Sequence, residues 1–244
     1  MAPSTPLASL NARIIACRRC PRLVAYREAV ARRRKPQFAS WEYWGRPVPG
    51  IGDPRARVLL VGLAPAAHGA NRTGRMFTGD GSGDFLTPAL HRAGLVSQPT
   101  STHRDDGLHY RGLYMTAAAR CAPPDNKPSP EELAHCREYL VQELVLLTDI
   151  RVIVALGSIA HAAVLNAATV LGWSVPKPRP AFAHGGRAVL VRPDGRAVML
   201  LASYHPSRQN TQTGRLTTPM LNAIMRTAVR LAGLAPGGRH PRRS

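Results

Sequence analysis

The chain has 244 residues, 44% of them hydrophobic, enough to bury a substantial core as one domain. Thirty-three Lys and Arg against 14 Asp and Glu give a formal charge of +19, a field that suits a polyanion because each neutralised phosphate releases counterions. No apolar run approaches the roughly 18 residues that span a bilayer, and Met1-Ala2-Pro3-Ser4 opens no signal segment. The expectation is therefore a cytoplasmic monomer with reduced thiols and no membrane partner.

Thr5-Pro6 reads as a helix start, since Thr caps orphan amides and Pro tolerates the first helical position. A helix from about Leu7 would deliver Cys17 and Cys20. A second, basic helix follows over 21–33, turning Leu23, Val24 and Val30 inward. The stretch 38–54, with Trp41, Tyr43 and Trp44, reads as an ordered loop. Arg57-Val-Leu-Leu-Val-Gly62 has the short apolar pattern of a strand buried on both faces, and similar runs recur at 113–117, 151–156 and 198–202. Helices are predicted over 82–93, 130–147 (with Ser129 and Glu132 at capping-box spacing), 158–171 and from Thr218-Pro219 to about Leu231. Arg192-Pro-Asp-Gly195 marks a turn between two late strands. Strands alternating with helices predict a three-layer α/β/α sandwich with a central, mainly parallel sheet. One domain is expected over 7–233, between a short tail at 1–6 and a basic tail at 234–244.

The four cysteines are Cys17, Cys20, Cys121 and Cys136. A Cys-x-x-Cys pair with two distant partners in a reducing compartment points to one four-thiolate metal site rather than disulfides, and spacing alone admits zinc or an iron–sulfur cluster.

In an open parallel sheet, ligands bind beyond the carboxyl ends of the strands. Two segments leave strands there: Gly62-Leu-Ala-Pro-Ala-Ala-His-Gly-Ala-Asn-Arg-Thr-Gly-Arg-Met-Phe-Thr-Gly-Asp80 and Ser203-Tyr-His-Pro-Ser-Arg-Gln-Asn-Thr-Gln-Thr-Gly-Arg-Leu216. Both combine small residues, which admit a ligand close to the backbone, with donors suited to phosphates and bases. Asp80 is a lone acid among cations. The glycine spacing of a phosphate loop or a dinucleotide fingerprint is absent.

Trp44-Gly-Arg-Pro-Val-Pro-Gly-Ile-Gly-Asp53, Gly62-Leu-Ala-Pro-Ala66, Asn71-Arg-Thr-Gly-Arg75, Phe77-Thr-Gly-Asp80, Arg120-Cys-Ala-Pro-Pro124 and His205-Pro-Ser207 resemble, in order and together with the four cysteines, the type-5 uracil-DNA glycosylases. The resemblance runs from Cys17 to the last helix. It implies a monofunctional base-excision repair enzyme that removes uracil and other deaminated or modified bases from DNA, with a [4Fe-4S] cluster on Cys17, Cys20, Cys121 and Cys136. The cluster's expected role is structural.

The site expectations follow. His205 stabilises the departing base anion and Asp80 the sugar cation or the attacking water, unless Asp80 merely pairs with Arg72 or Arg75. Phe77 stacks on the flipped base, and the backbone at Gly62, Ala64 and Ala66 holds it. Asn71, Arg72 and Arg75 from the first segment, with Ser207, Arg208, Gln209, Asn210 and Arg215 from the second, grip DNA. Where type-4 relatives carry an Asn four residues before the third cysteine, this chain has Ala117, which implies weaker selection for uracil. The alternative is a metal-stapled DNA-binding protein without turnover.

Overall fold

The computed structural model describes residues 5–235. Its sheet has six strands, β1 (Ile51–Gly52), β2 (Val58–Gly62), β3 (Leu113–Ala117), β4 (Val152–Leu156), β5 (Arg187–Val191) and β6 (Ala197–Ser203), in the order β1-β3-β2-β4-β6-β5. The central four strands are parallel and the two edges antiparallel. The expected hairpin turn at Arg192–Gly195 joins β5 to β6. The two-residue β1 falls inside the stretch expected to be loop.

Alternation along the central strands builds two cores. Val58 and Leu60 of β2 with Val152 and Val154 of β4 face α4 (Gly81–Arg92) and α8 (Thr218–Leu231). Leu59 and Val61 with Ile153 and Ala155 face the opposite way, onto α5 (Pro130–Leu146) and α6 (Ser158–Val170). A fully apolar strand is the consequence, because helices cover both sides. The three-layer architecture read from the sequence is thus the one observed.

Helices α1 (Pro6–Ile15) and α2 (Pro21–Arg33) lie outside this sandwich, and α1 packs Leu10 and Ile14 against Tyr139 of α5. Thr5 caps α1 and Pro6 begins it, so both residues belong to the domain rather than to a tail. Leu234 likewise packs into the first core. The remaining tail residues, 1–4 and 236–244, lie outside the described residues. Two short helices, α3 (Ala70–Thr73) and α7 (Arg208–Gln212), were not anticipated. Each lies within one of the two segments that leave strand ends. Among the described residues no helix is long and apolar enough to cross a membrane.

Candidate active site

Register aligns the carboxyl ends of the strands: Gly62 lies opposite Ala117, and Leu156 opposite Ser203. The loops leaving these ends meet in one place. Phe77 is held over the end of β2 by two glycines. A Cβ on Gly62 would come within 2.5 Å of the ring's Cζ, and one on Gly83 within 2.2 Å of the Phe77 carbonyl. Phe77 itself takes a φ of +52°, a left-handed backbone costly for an aromatic residue and persistent only where the surroundings impose it.

Asp80 caps α4, its Oδ1 accepting from the amides of Ser82 and Gly83 at 2.9 Å each. Oδ2 lies hard against the backbone of Gly69, where any side chain would collide with it. Burial raises the carboxyl's pKa and Asp84 adds to the rise, while the two amides and Arg72 oppose it. Asp80 pairs with neither expected arginine: Arg75 bonds Asp106 at 2.6 Å, and Arg72 donates to main-chain carbonyls.

His205 follows β6, and its carbonyl accepts from the Asn210 side chain at 2.8 Å. Its ring lies 6.4 Å from that of Phe77, centroid to centroid. Burial lowers its pKa to about 4, so near neutral pH the imidazole is uncharged and donates through one nitrogen only. It lines an open cavity of about 230 Å³ with Leu63, Leu156, Gly157, Tyr204 and Arg215. On the other side, the amides of Ala64, Ala66 and Ala67 have no acceptor among the described residues, whereas the carbonyls of Gly62, Leu63 and Ala66 are all engaged. Unpaired amides at a strand end are donors in waiting for a ligand carbonyl.

The expected DNA grip divides. Asn71, Arg72 and Arg75 are 0, 3 and 2% exposed, which corrects their assignment as phosphate ligands. Asn71 donates to the carbonyls of Arg27 and Ala67. Arg75 reaches Thr78, Ser101, the Arg104 carbonyl and Asp106, and so pins the 101–106 loop. In the second segment, Ser207 caps α7 and Asn210 holds the His205 backbone. Arg208 and Gln209 are exposed. Arg208 lies beside Gly81, next to Asp80, and the exposed Arg215 sits 4.6 Å over the Tyr204 ring. Gly157, which lines the cavity with His205, was missed, although Leu156-Gly157-Ser158 leaves a strand end as the other two segments do.

The four cysteines form no disulfide and line one small cavity of about 10 Å³ with Leu23, Val24 and Pro47. They arrive from the end of α1, the cap of α2, the segment after β3, and α5. Burial pushes the Cys121 thiol up to about 12, and burial with neighbouring Cys136 pushes Cys20 up to about 11. Buried Arg27 donates to Cys121 Sγ at 3.5 Å. Around the rim, Arg22 pairs with Glu132 and Arg19 with Glu138, each at 2.7 Å.

The family model described as the uracil DNA glycosylase superfamily matches residues 49–228. The type-5 uracil-DNA glycosylase of Thermus thermophilus is 56% identical over 221 residues, covering 91% of this chain and 96% of that protein. That of Mycobacterium tuberculosis is 54% identical over 229 residues (93% and 82%). A type-4 uracil-DNA glycosylase from Archaeoglobus fulgidus is 31% identical over 66% of this chain and 70% of its own length. By the family model that matches most of its length and by these relatives, the chain belongs to the uracil-DNA glycosylase superfamily, among its type-5 members.

Proposed function

We propose that the protein flips uracil and related deaminated bases out of DNA and hydrolyses the bond from C1′ to the base nitrogen, leaving an abasic site. The observation that carries this reading is the convergence of Phe77, Asp80, His205 and three unpaired amides on the carboxyl ends of the strands. Flipping costs a few kcal/mol, which stacking on Phe77 and amide bonds to the base carbonyls help to offset. As the bond breaks, its electron pair leaves with the base. Charge grows on a base carbonyl, where a neutral, half-buried His205 donor strengthens once bound DNA has excluded water. Asp80 Oδ2 faces the sugar, stabilises the cation at C1′, and accepts the proton of the water that adds there.

Arg208, Gln209 and Arg215 hold the flanking phosphates. The protein works as a monomer in the cytoplasm on nucleoid DNA, in keeping with its net charge of +19. Cys17, Cys20, Cys121 and Cys136 suit a [4Fe-4S] cluster. All four line one small pocket, the arrangement that lets a single cluster take a thiolate from each. Such a cluster supplies cross-linking, joining α1 and α2 to α5 and the end of β3, while Arg27 offsets thiolate charge.

The test is single-turnover cleavage of a labelled duplex with one uracil, followed by alkali, on native protein, Asp80→Ala and His205→Ala. A loss of about 10²-fold or more in either variant supports the assignment. Native protein that binds uracil-, hypoxanthine- and xanthine-containing duplexes and leaves all three intact overturns it in favour of a DNA-binding protein.

A further inference from the structure

Arg72 is buried, yet it is clasped by two aromatic rings and two main-chain carbonyls beside the site. Its guanidinium lies between the rings of Phe38 and Trp41, 3.8 and 4.1 Å from their centroids. Nε donates to the His68 carbonyl at 2.8 Å and Nη2 to the Gly79 carbonyl at 2.7 Å. Those two carbonyls flank the carboxylate: His68 precedes Gly69, which presses on Asp80 Oδ2, and Gly79 precedes Asp80 itself. Nη1 is buried and bonds to nothing. No carboxylate pairs with the guanidinium within salt-bridge distance among the described residues. A neutral side chain could bridge two carbonyls at lower desolvation cost, so the charge needs a reason of its own.

We propose that Arg72 is a positioning residue for Asp80: it clasps the loop on both sides of the carboxylate and supplies the buried cation that keeps it an anion once DNA has excluded water, with Phe38 and Trp41 shielding that cation. The proposal rests on Asp80 being the reacting carboxylate.

The groups around Asp80 single out Arg72. From α4 come the Ser82 and Gly83 amides and the opposing charge of Asp84. From α7 comes Arg208, exposed and screened, and across the pocket His205, uncharged above about pH 4. Tyr43 adds to the field at Arg72, and Lys35 and Arg72 to that at His68, and His103 packs against Trp41, 5.2 Å between ring centroids. Arg72 is the buried cation of the set, and its field adds to the two α4 amides in lowering the Asp80 pKa against the rise from burial.

The experiment is single-turnover excision of uracil from saturating duplex as a function of pH, with native protein, Arg72→Gln, Arg72→Lys, Trp41→Ala and Asp80→Asn. An anion is required, so the rate falls as pH drops through the Asp80 pKa. Removing the cation in Arg72→Gln raises that pKa and moves the falling limb to higher pH. Arg72→Lys retains charge but not the fork, so its plateau drops while its limb stays in the native position. Trp41→Ala admits water to the guanidinium and shifts the limb in the same direction as Arg72→Gln, by less. Protonation of His205 is common to all and cancels in the comparison. A native limb in Arg72→Gln overturns the proposal. If that variant does not fold, a native limb in Trp41→Ala does so. An Asp80→Asn variant as active as native instead overturns the assignment of Asp80, and this proposal with it, by a separate result.

Discussion

Asp80 does two jobs that substitution can separate. As N-cap of α4 it accepts two 2.9 Å bonds, a cap worth about 1 kcal/mol. As a half-buried carboxylate it has a raised pKa. A group whose folded pKa lies above its unfolded value contributes stability at pH below the unfolded pKa and loses it as pH rises through the folded one. At neutral pH the Asp80 charge is therefore a burden on the fold. Asp80→Asn keeps the Oδ1 acceptor and removes the charge, so its Tm should equal or exceed the native value. Asp80→Ala loses the cap, about 1 kcal/mol, lowering Tm by about 2–4 °C. In single-turnover excision both variants should fall by about 10²-fold or more. Thermal denaturation at pH 7 beside the alkali-cleavage assay reads both quantities on one preparation. An Asp80→Asn protein that is markedly less stable than native, or that retains native excision, would refute the reasoning: the first by showing that the charge supports the fold, the second by showing that Asp80 is only a cap.

Gly62→Ala places a Cβ 2.5 Å from Phe77 Cζ and should expel the ring from its seat, costing about 1–3 kcal/mol of stability and most of the excision rate, measured by denaturant melts and single-turnover assay. His205, with a pKa lowered from 6.5 to about 4, is protonated in the unfolded chain before the folded one. Native Tm should accordingly fall as pH drops from 6.5 towards 4, and His205→Asn should fall less steeply. Replacing Arg208 and Arg215 together by Gln should weaken binding to every duplex sequence alike and flatten the slope of log K against log salt by about 0.9 for each phosphate no longer neutralised, read by fluorescence anisotropy across a salt series.

The sandwich was legible because burial on both faces leaves a plain mark: Val58-Leu-Leu-Val61 and Val152-Ile-Val-Ala155 tolerate no polar residue, and their ends announce where a ligand binds. The positions of Phe77, Asp80 and His205 were legible through motif order, since each lies in a segment that leaves such an end. The arginines were not. Arg72 and Arg75 stand in a glycine-rich, donor-rich loop and read as phosphate ligands, as Arg208 and Arg215 do, yet the first pair is buried and the second exposed. Composition records that a side chain is cationic, not whether it has been desolvated. The partners that desolvate Arg72 are two main-chain carbonyls and two aromatic faces from a loop some thirty residues earlier. Carbonyls belong to every residue and leave no signature in a sequence. The signal that was available was Phe38 and Trp41, two large aromatic side chains in a proline-rich stretch with no strand or long helix of their own to cover them. Aromatic rings outside any such element must lie on something, and in a chain carrying 33 Lys and Arg a guanidinium is a natural surface, because it stacks flat and is weakly hydrated.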